Sequence, residues 1–128
     1  MASTDRFARL VFRIAGIYGI VVLLPQYLLE TGVGPAGGAP LQRPEHFYGF
    51  VGVALAWQLA FLVISRDVRR YRALMLPAVV EKLSFGVPVL LLVAAGRVGA
   101  DVLVFGCIDL VLSVLFALAY RATRDAGR

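Results

Sequence analysis

Three ionisable residues stand in stretches of the chain that are otherwise strongly apolar, and they are the first candidates for chemistry. Glu81 and Lys82 are neighbours in one such stretch, and Asp109 lies in the next. A charged side chain at the centre of a membrane helix costs roughly 2.5–3.5 kcal/mol, so it usually faces a bundle interior, a water-filled cavity or another charge. The pattern therefore predicts a polar pocket enclosed by apolar helices.

Helix geometry predicts how these residues pair. Consecutive residues on a helix point about 100° apart, so Glu81 and Lys82 are expected to have different neighbours. Asp109 is the expected partner of Lys82 because the two lie at similar depth, and Gln58 is expected to reach the layer of Glu81. These four residues form the predicted pocket for a ligand or for protons. Alternatively, a Lys–Asp pair and a Glu–Gln hydrogen bond only fix helix order and register.

A second polar group is predicted at the outer surface and consists of Glu30, Glu45 and His46. The position of His46 beside Phe47 is typical of an interfacial aromatic belt. The chain has too few nitrogen and sulfur ligands for a metal site. It also contains no nucleophile–base set, phosphate loop or dinucleotide motif, so we expect no cofactor and favour a non-enzymatic protein.

Four apolar stretches must position these side chains. A bilayer core about 30 Å thick is crossed by roughly 20 helical residues. The predicted spans cover about residues 10–29, 47–64, 73–95 and 102–120. The chain of 128 residues is 60% hydrophobic, more than a soluble domain of this size can keep away from water. We therefore predict an all-α, four-helix transmembrane bundle that forms a single domain over residues 1–128.

The arginines predict the orientation of the bundle. Ten of the twelve flank the first span at its start, the second and third spans at their connection, and the fourth span at its end; only Arg43 and Arg97 lie on the other side. The positive-inside rule then places both termini in the cytoplasm, as in a multi-pass protein of the bacterial inner (plasma) membrane. This asymmetry also explains the net charge of +5 by contact with anionic membrane lipids rather than with nucleic acid.

Two further patterns concern helix packing. One face of the third helix carries two prolines that free backbone carbonyls, and it is expected either to line a cavity or to pack against a neighbour. A stripe of small residues in the second helix predicts close helix contact, within the chain rather than between protomers. The residues are Pro77, Glu81, Ser84 and Pro88 in the first pattern, and Gly52, Ala56 and Ala60 in the second.

The two helical hairpins also align with each other when residues 47–52 are placed on residues 104–109. Such hairpins would be parallel repeats related by an axis along the membrane normal. The alternative explanation is that apolar helices look alike.

The aromatic-glycine motif Phe47-Tyr48-Gly49 and the basic residue Lys82 in the third span resemble those of the small bacterial four-helix membrane proteins called DoxX-like. The resemblance covers most of the chain and implies the fold and a membrane location. It supplies no set of site residues, and the long Gly/Pro-rich connection and the Glu81-Lys82 pair depart from the family pattern.

These observations predict a non-enzymatic inner-membrane protein with a small polar pocket. The pocket would bind a lipid-like or quinone-like molecule or relay protons. One alternative is an accessory or scaffold subunit whose polar residues only specify packing, and another is a small proton-coupled transporter. The expected partners are membrane lipids, a small hydrophobic ligand, and a second copy of the chain or a membrane complex.

Overall fold

The chain forms a bundle of four long α-helices. The computed structural model describes residues 3–28 and 43–124. The helices are α1 (Ser3–Leu23), α2 (Pro44–Arg66), α3 (Met75–Ala94) and α4 (Ala100–Ala122). Each lies in a helical segment long and apolar enough to cross a membrane. The predicted all-α, four-helix transmembrane architecture is confirmed, and the chain is a multi-pass membrane protein.

The helices differ in detail from the predicted spans. α1 begins at Ser3, well before residue 10, because charged side chains can stay in the polar interface while the backbone hydrogen bonding continues. After α1 the backbone tightens into a 3-10 segment, Leu24–Leu28, which contains Pro25. Residue 29, the last of the first predicted span, lies outside the described residues. α2 and α4 extend two or three residues beyond their predicted ends.

The two prolines of α3 have different effects on the helix. A short 3-10 segment, Arg72–Leu74, precedes α3, so Pro77 falls in the first α-helical turn. An N–H group in that turn has no partner inside the helix, so proline costs little there. Pro88 lies inside α3 and removes the hydrogen bond that the Ser84 carbonyl would otherwise accept. Only one of the two predicted helix interruptions is therefore present.

The helices pair as two hairpins, α1 with α2 and α3 with α4. Each hairpin is closely packed along its length, and the two hairpins meet mainly through α1 and α4. α2 and α3 touch each other much less. The bundle is therefore closed on the α1–α4 side and looser on the α2–α3 side.

Glycines allow the close contact within each hairpin. A Cβ atom at Gly16 would lie 2.8 Å from Cδ2 of Leu62, and one at Gly86 would lie 2.7 Å from Cγ of Leu110. The predicted small-residue stripe of α2 is only partly a contact surface: Gly52 and Ala60 are half-buried, and a Cβ atom at Gly52 would lie 3.2 Å from the hydroxyl of Tyr27, but Ala56 is exposed. Small residues on a membrane helix look alike in sequence whether they face a helix or lipid.

The two hairpins repeat each other's packing. Gly16 on α1 meets Leu62 on α2 as Gly86 on α3 meets Leu110 on α4. One turn further along, a serine hydroxyl donates a 2.6 Å hydrogen bond to the carbonyl oxygen of Leu62 in the first hairpin and of Leu110 in the second. The hairpins run in the same direction, as predicted, but the sequence alignment of residues 47–52 was wrong in register because it followed an aromatic-glycine pattern instead of helix contacts.

The two ends of the bundle differ. The end at which α1 and α3 begin is called the arginine-rich end, and the other is called the opposite end. Toward the arginine-rich end, three fully buried phenylalanines fill the space between the helices. The rings of Phe12 and Phe116 stack with their centroids 4.2 Å apart, and Phe61 packs edge-on against Phe116 at 4.9 Å. Aromatic rings therefore lie at the centre of the core in this half, among aliphatic side chains.

Polar contacts tie the hairpins together at the arginine-rich end. Arg69 Nε donates to Oδ2 of the buried Asp5 at 2.7 Å, which joins the start of α1 to the connection between α2 and α3. In the same connection, Arg72 Nη2 donates to the backbone oxygen of Tyr120 at 2.9 Å, and its guanidinium carbon lies 3.7 Å from the centroid of that ring. The connection between the hairpins is thereby attached to α1 of the first hairpin and to α4 of the second.

Candidate functional site

A cavity of about 340 Å³ lies in the half of the bundle nearer the opposite end. All four helices line it. Its polar residues include the whole predicted pocket, and aromatic rings from different helices form its walls. The four predicted residues are Gln58, Glu81, Lys82 and Asp109, and the aromatic residues are Tyr18, Phe50, Phe85 and Phe105. The structure thus brings the four predicted residues to the lining of one cavity.

Lys82 lies at the centre of the polar group. Its Nζ atom is 3.4 Å from Oδ1 of Asp109, the expected partner, and 3.5 Å from Oε2 of Glu81. The expectation that Glu81 and Lys82 have different neighbours is wrong. The flexible stem of a lysine lets its ammonium group return beside the adjacent residue even though the two Cβ atoms point apart. One buried ammonium therefore serves two carboxylates.

Gln58 is almost completely buried, with 1% of its surface exposed. Its Nε2 atom donates to the backbone oxygen of Ala54 at 2.9 Å, and its Oε1 atom, which lies against Gly19, has no hydrogen-bond partner among the described residues. The expected hydrogen bond between Gln58 and Glu81 is not formed within the described structure. Oε2 of Glu81 is likewise buried and accepts no hydrogen bond there, although it lies at ion-pair distance from Lys82.

The charges in the cavity do not balance when all are ionised. Glu81 and Asp109 contribute two carboxylates, and Lys82 contributes one ammonium. The side chains are 17%, 15% and 5% exposed in that order, so bulk water screens them weakly. With all three groups ionised, the cavity thus has one negative charge in excess, and Oε1 of Gln58 is a buried acceptor without a donor among the described residues.

The first hairpin has aromatic rings where the second has charges. Phe12 lies four residues before the contact glycine of α1, as Lys82 does in α3, and Phe61 directly precedes the contact leucine of α2, as Asp109 does in α4. The ring centroids of Phe12 and Phe61 are 5.9 Å apart. The same hairpin packing is therefore achieved with an apolar pair in place of the ionic pair.

A groove of about 630 Å³ lies beside the cavity, between α2 and α3. Four residues line both spaces: Phe50 and Ala54 of α2, and Glu81 and Phe85 of α3. The rings of Phe50 and Phe85 contact each other where the two spaces meet, with their centroids 6.2 Å apart. Because the exposed Val53 also lines the groove, this space opens toward the outside of the bundle, where lipid lies in a membrane.

The predicted proline-containing face of α3 contributes to this groove. Pro77, Glu81 and Ser84 line it, whereas Pro88 does not. The hydroxyl of Ser84 donates to the backbone oxygen of Glu81 at 2.7 Å, so it is satisfied within the helix. Of this face, only the Glu81 carboxylate reaches both the groove and the central cavity.

The residues of the predicted outer-surface cluster do not form a binding site in the part of the chain that the structure describes. Glu45 and His46 are both exposed at the start of α2. Oε1 of Glu45 lies 4.0 Å from Nη1 of Arg43, and both side chains are mostly exposed, so this ion pair is weak. Glu30 lies outside the described residues. Among the described residues, no three His, Cys, Asp or Glu side chains could together hold a metal ion.

The aromatic walls were missed in the sequence, although a spacing signal was present. Phe85 follows Glu81 by one helical turn, and Phe105 precedes Asp109 by one turn. Residues four apart lie on the same helix face, so each acid shares its face with a ring. For Tyr18 the available signal was its depth, because among the α1 side chains with a polar group it lies nearest to the level of these acids.

No protein-family model, curated protein or solved structure matches the chain. The likeness to the DoxX-like proteins therefore stays a prediction.

Proposed function

We propose that the protein binds an amphipathic small molecule, lipid-like or quinone-like, in the cavity between its four helices. The polar head would lie against Glu81, Lys82 and Asp109, and the apolar body would lie among the aromatic walls. The observation that carries this proposal is the cavity itself, because an apolar-walled space of some 300–1,000 Å³ with a few convergent polar groups is typical of ligand sites.

A scaffold role, in which the polar residues only specify packing, accounts less well for the hairpin comparison. Buried ion pairs are usually no more stabilising than well-packed apolar residues of the same volume. The first hairpin packs with Phe12 and Phe61 at the positions of Lys82 and Asp109. The charges therefore add a cost to the second hairpin that a ligand-binding role would explain.

Binding also fits the shape of the bundle better than transport or proton relay across it. The ring of Phe61 lies directly beneath the polar group, with its centroid 5.3 Å from Nζ of Lys82. Phe12 and Phe116 complete the packed aromatic core toward the arginine-rich end. A molecule in the cavity thus has apolar side chains between it and that end, whereas the groove between α2 and α3 leads sideways to lipid.

The proposed setting is the bacterial inner membrane, with the arginine-rich end in the cytoplasm. Arginine-rich connections stay on the cytoplasmic side during insertion, so this orientation follows from their placement. The cavity would then lie in the outer half of the membrane. Its ligand would be a component of the outer leaflet or a molecule that partitions into it.

The proposal is tested by filling the cavity. Ala54 lines the cavity, and Ala56, two residues along the same helix, is exposed and does not line it. Ala54→Trp should displace a bound molecule, and Ala56→Trp should not. Organic extracts of the purified wild type and of both variants are compared by mass spectrometry, and helix content is checked by circular dichroism.

We expect one compound, beyond bulk membrane lipid, to be retained by the wild type and Ala56→Trp and lost from a folded Ala54→Trp. The proposal is wrong if all three folded proteins carry the same compounds in the same amounts. Such a result would leave the scaffold role as the better account of the polar residues.

A further inference from the structure

We propose that the molecule held in the cavity carries a protonated amine beside an apolar body. This inference rests on the proposed function and adds the chemical class of the head group. It depends on three features of the cavity: its donor and acceptor balance, its charge balance and its aromatic walls.

The polar group offers more acceptors than donors. Oε1 of Gln58 is buried and accepts no hydrogen bond from a described residue, and Oε2 of Glu81 has only a 3.5 Å contact with the Nζ atom of Lys82, which Asp109 shares. An unsatisfied buried acceptor costs about 1–3 kcal/mol, so a ligand that donates hydrogen bonds gains by meeting it. An ammonium head has several N–H donors and no acceptor, whereas a carbonyl or carboxylate head would bring further acceptors to a site already short of donors.

The charge balance points the same way. Lys82 contacts both Glu81 and Asp109, which leaves one carboxylate without a counter-charge of its own. A cationic head beside Glu81 would give two positive and two negative groups. An anionic head would bring a third negative group into a space with a single ammonium, and like charges at such distances repel strongly where water is scarce.

The walls suit an organic cation with an apolar body. Tyr18, Phe50, Phe85 and Phe105 present aromatic rings around the polar group. Aromatic faces attract ammonium groups by cation–π interaction and also accept alkyl chains. Lys82 already uses one such contact with Phe61 on the arginine-rich side of the cavity.

The groove supplies the route by which such a molecule would reach Glu81. This residue belongs to the lining of both the groove and the cavity, as do Phe50 and Phe85, whose rings contact each other where the two spaces meet. An amphipathic amine dissolved in the membrane would enter head-first toward the carboxylate. Glu81, rather than Asp109, is therefore the residue that the inference assigns to the ligand.

The test compares three probes that share one alkyl chain: n-octylamine, n-octanol and octanoic acid. Direct binding of each probe, in tritiated form, is measured by equilibrium dialysis at neutral pH, with the full chain in nanodiscs of zwitterionic lipid. Empty nanodiscs correct for partition into lipid. Unlabelled n-octanol and octanoic acid are also added as competitors of n-octylamine, and the measurement is repeated with Glu81→Gln and with Glu45→Gln, which changes an exposed carboxylate outside the cavity.

We expect saturable binding of one n-octylamine per chain and weak competition by n-octanol and octanoic acid. Because a charge-assisted hydrogen bond would be lost, Glu81→Gln should weaken binding about ten- to a hundredfold, and Glu45→Gln should leave it unchanged. The inference is overturned if octanoic acid or n-octanol competes as well as unlabelled n-octylamine, or if a folded Glu81→Gln binds n-octylamine like the wild type.

The outcomes separate the inference from the proposed function. If n-octanol or octanoic acid binds saturably and n-octylamine does not, the cavity is a ligand site but the head-group class is wrong. If none of the three probes binds above empty nanodiscs, the amine inference fails, and the co-purification comparison with Ala54→Trp decides whether the cavity holds any ligand. Should Glu81→Gln fail to fold, the ranking of probes on the wild type still decides the inference.

Discussion

Removing the charges of the cavity one at a time should lower the free energy of unfolding, whereas removing all three together should leave it nearly unchanged. In Lys82→Met, two carboxyl groups lose their only common counter-charge. In Asp109→Leu, Lys82 keeps its contact with Glu81, whose Oε2 lies 3.5 Å from its Nζ. In the neutral triple variant, with Glu81→Gln added, no charge remains. We expect the order of stability to be Lys82→Met lowest, Asp109→Leu intermediate, and the triple variant near the wild type.

The structure sets the size of these effects. Two unit charges 3.4 Å apart, the distance between Lys82 and Asp109, attract by about 5 kcal/mol at an effective dielectric constant of ~20. Breaking a buried pair typically costs about 3–5 kcal/mol. An unpaired carboxylate can also become neutral by binding a proton. For an ordinary aspartate at pH 7 this costs about 4 kcal/mol, which sets an upper limit on the loss of stability. Lys82→Met should therefore lose about 3–5 kcal/mol, and Asp109→Leu roughly half as much.

The triple variant tests the hairpin comparison directly. Replacing a buried ionic group by apolar residues of similar volume is often neutral or stabilising by about 1–4 kcal/mol.

Unfolding free energies are measured by titration with sodium dodecyl sulfate in mixed micelles and followed by the fluorescence of Trp57, the single tryptophan. As a control, Arg43→Met and Glu45→Gln remove an ion pair whose side chains are 70% and 64% exposed, and they should change stability by less than about 0.5 kcal/mol.

A triple variant that is destabilised as much as Lys82→Met would refute this reasoning. The charges would then be required for packing, the correspondence with Phe12 and Phe61 would carry no energetic meaning, and the scaffold role would be favoured. Equal losses in Lys82→Met and Asp109→Leu would show instead that Glu81 does not interact with the ammonium.

Two further predictions concern packing and orientation. Gly86→Ala should destabilise the protein by about 1–3 kcal/mol, because the added Cβ atom would lie 2.7 Å from Cγ of Leu110. As a control, Gly49→Ala adds a Cβ atom with no neighbour within 4 Å, so it should be neutral or slightly stabilising in the same titration. A reporter that is active only in the cytoplasm should give a signal when fused to the C-terminus and none when fused after Arg97, because ten of the twelve arginines lie on one side. Equal signals from the two fusions would contradict the orientation.

The sequence predicted those features that depend on one helix at a time. The length of each apolar stretch predicts four spans, and the depths of Lys82 and Asp109 predict their contact. The neighbour of Glu81 was predicted wrongly because the angle between adjacent Cβ atoms says nothing about where a long, flexible side chain ends.

Features that depend on which helices touch could not be predicted in the same way. Composition does not distinguish Ala56, which is exposed, from Gly16, which meets a leucine of α2. The loose contact between α2 and α3 leaves no mark on α2, where residues facing the groove and residues facing lipid are both apolar; on α3, Glu81 and Ser84 mark the groove. The aromatic walls formed by Phe50, Phe85 and Phe105 were not predicted for a related reason. The three rings come from three different helices, and only the packing of those helices brings them to one cavity.

The repeated hairpins have a consequence for how the pocket can change. In a homodimer of a single hairpin, every side chain would occur twice, so a lysine at the position of Lys82 would face its own copy. The two helix interfaces between the hairpins would also be identical. With both hairpins in one chain, the α1–α4 interface closes through the stacked rings of Phe12 and Phe116, while its counterpart between α2 and α3 remains open. Substitutions of Lys82 or Asp109 in the second hairpin can therefore change the polar residues of the cavity without a matching change at Phe12 or Phe61 in the first.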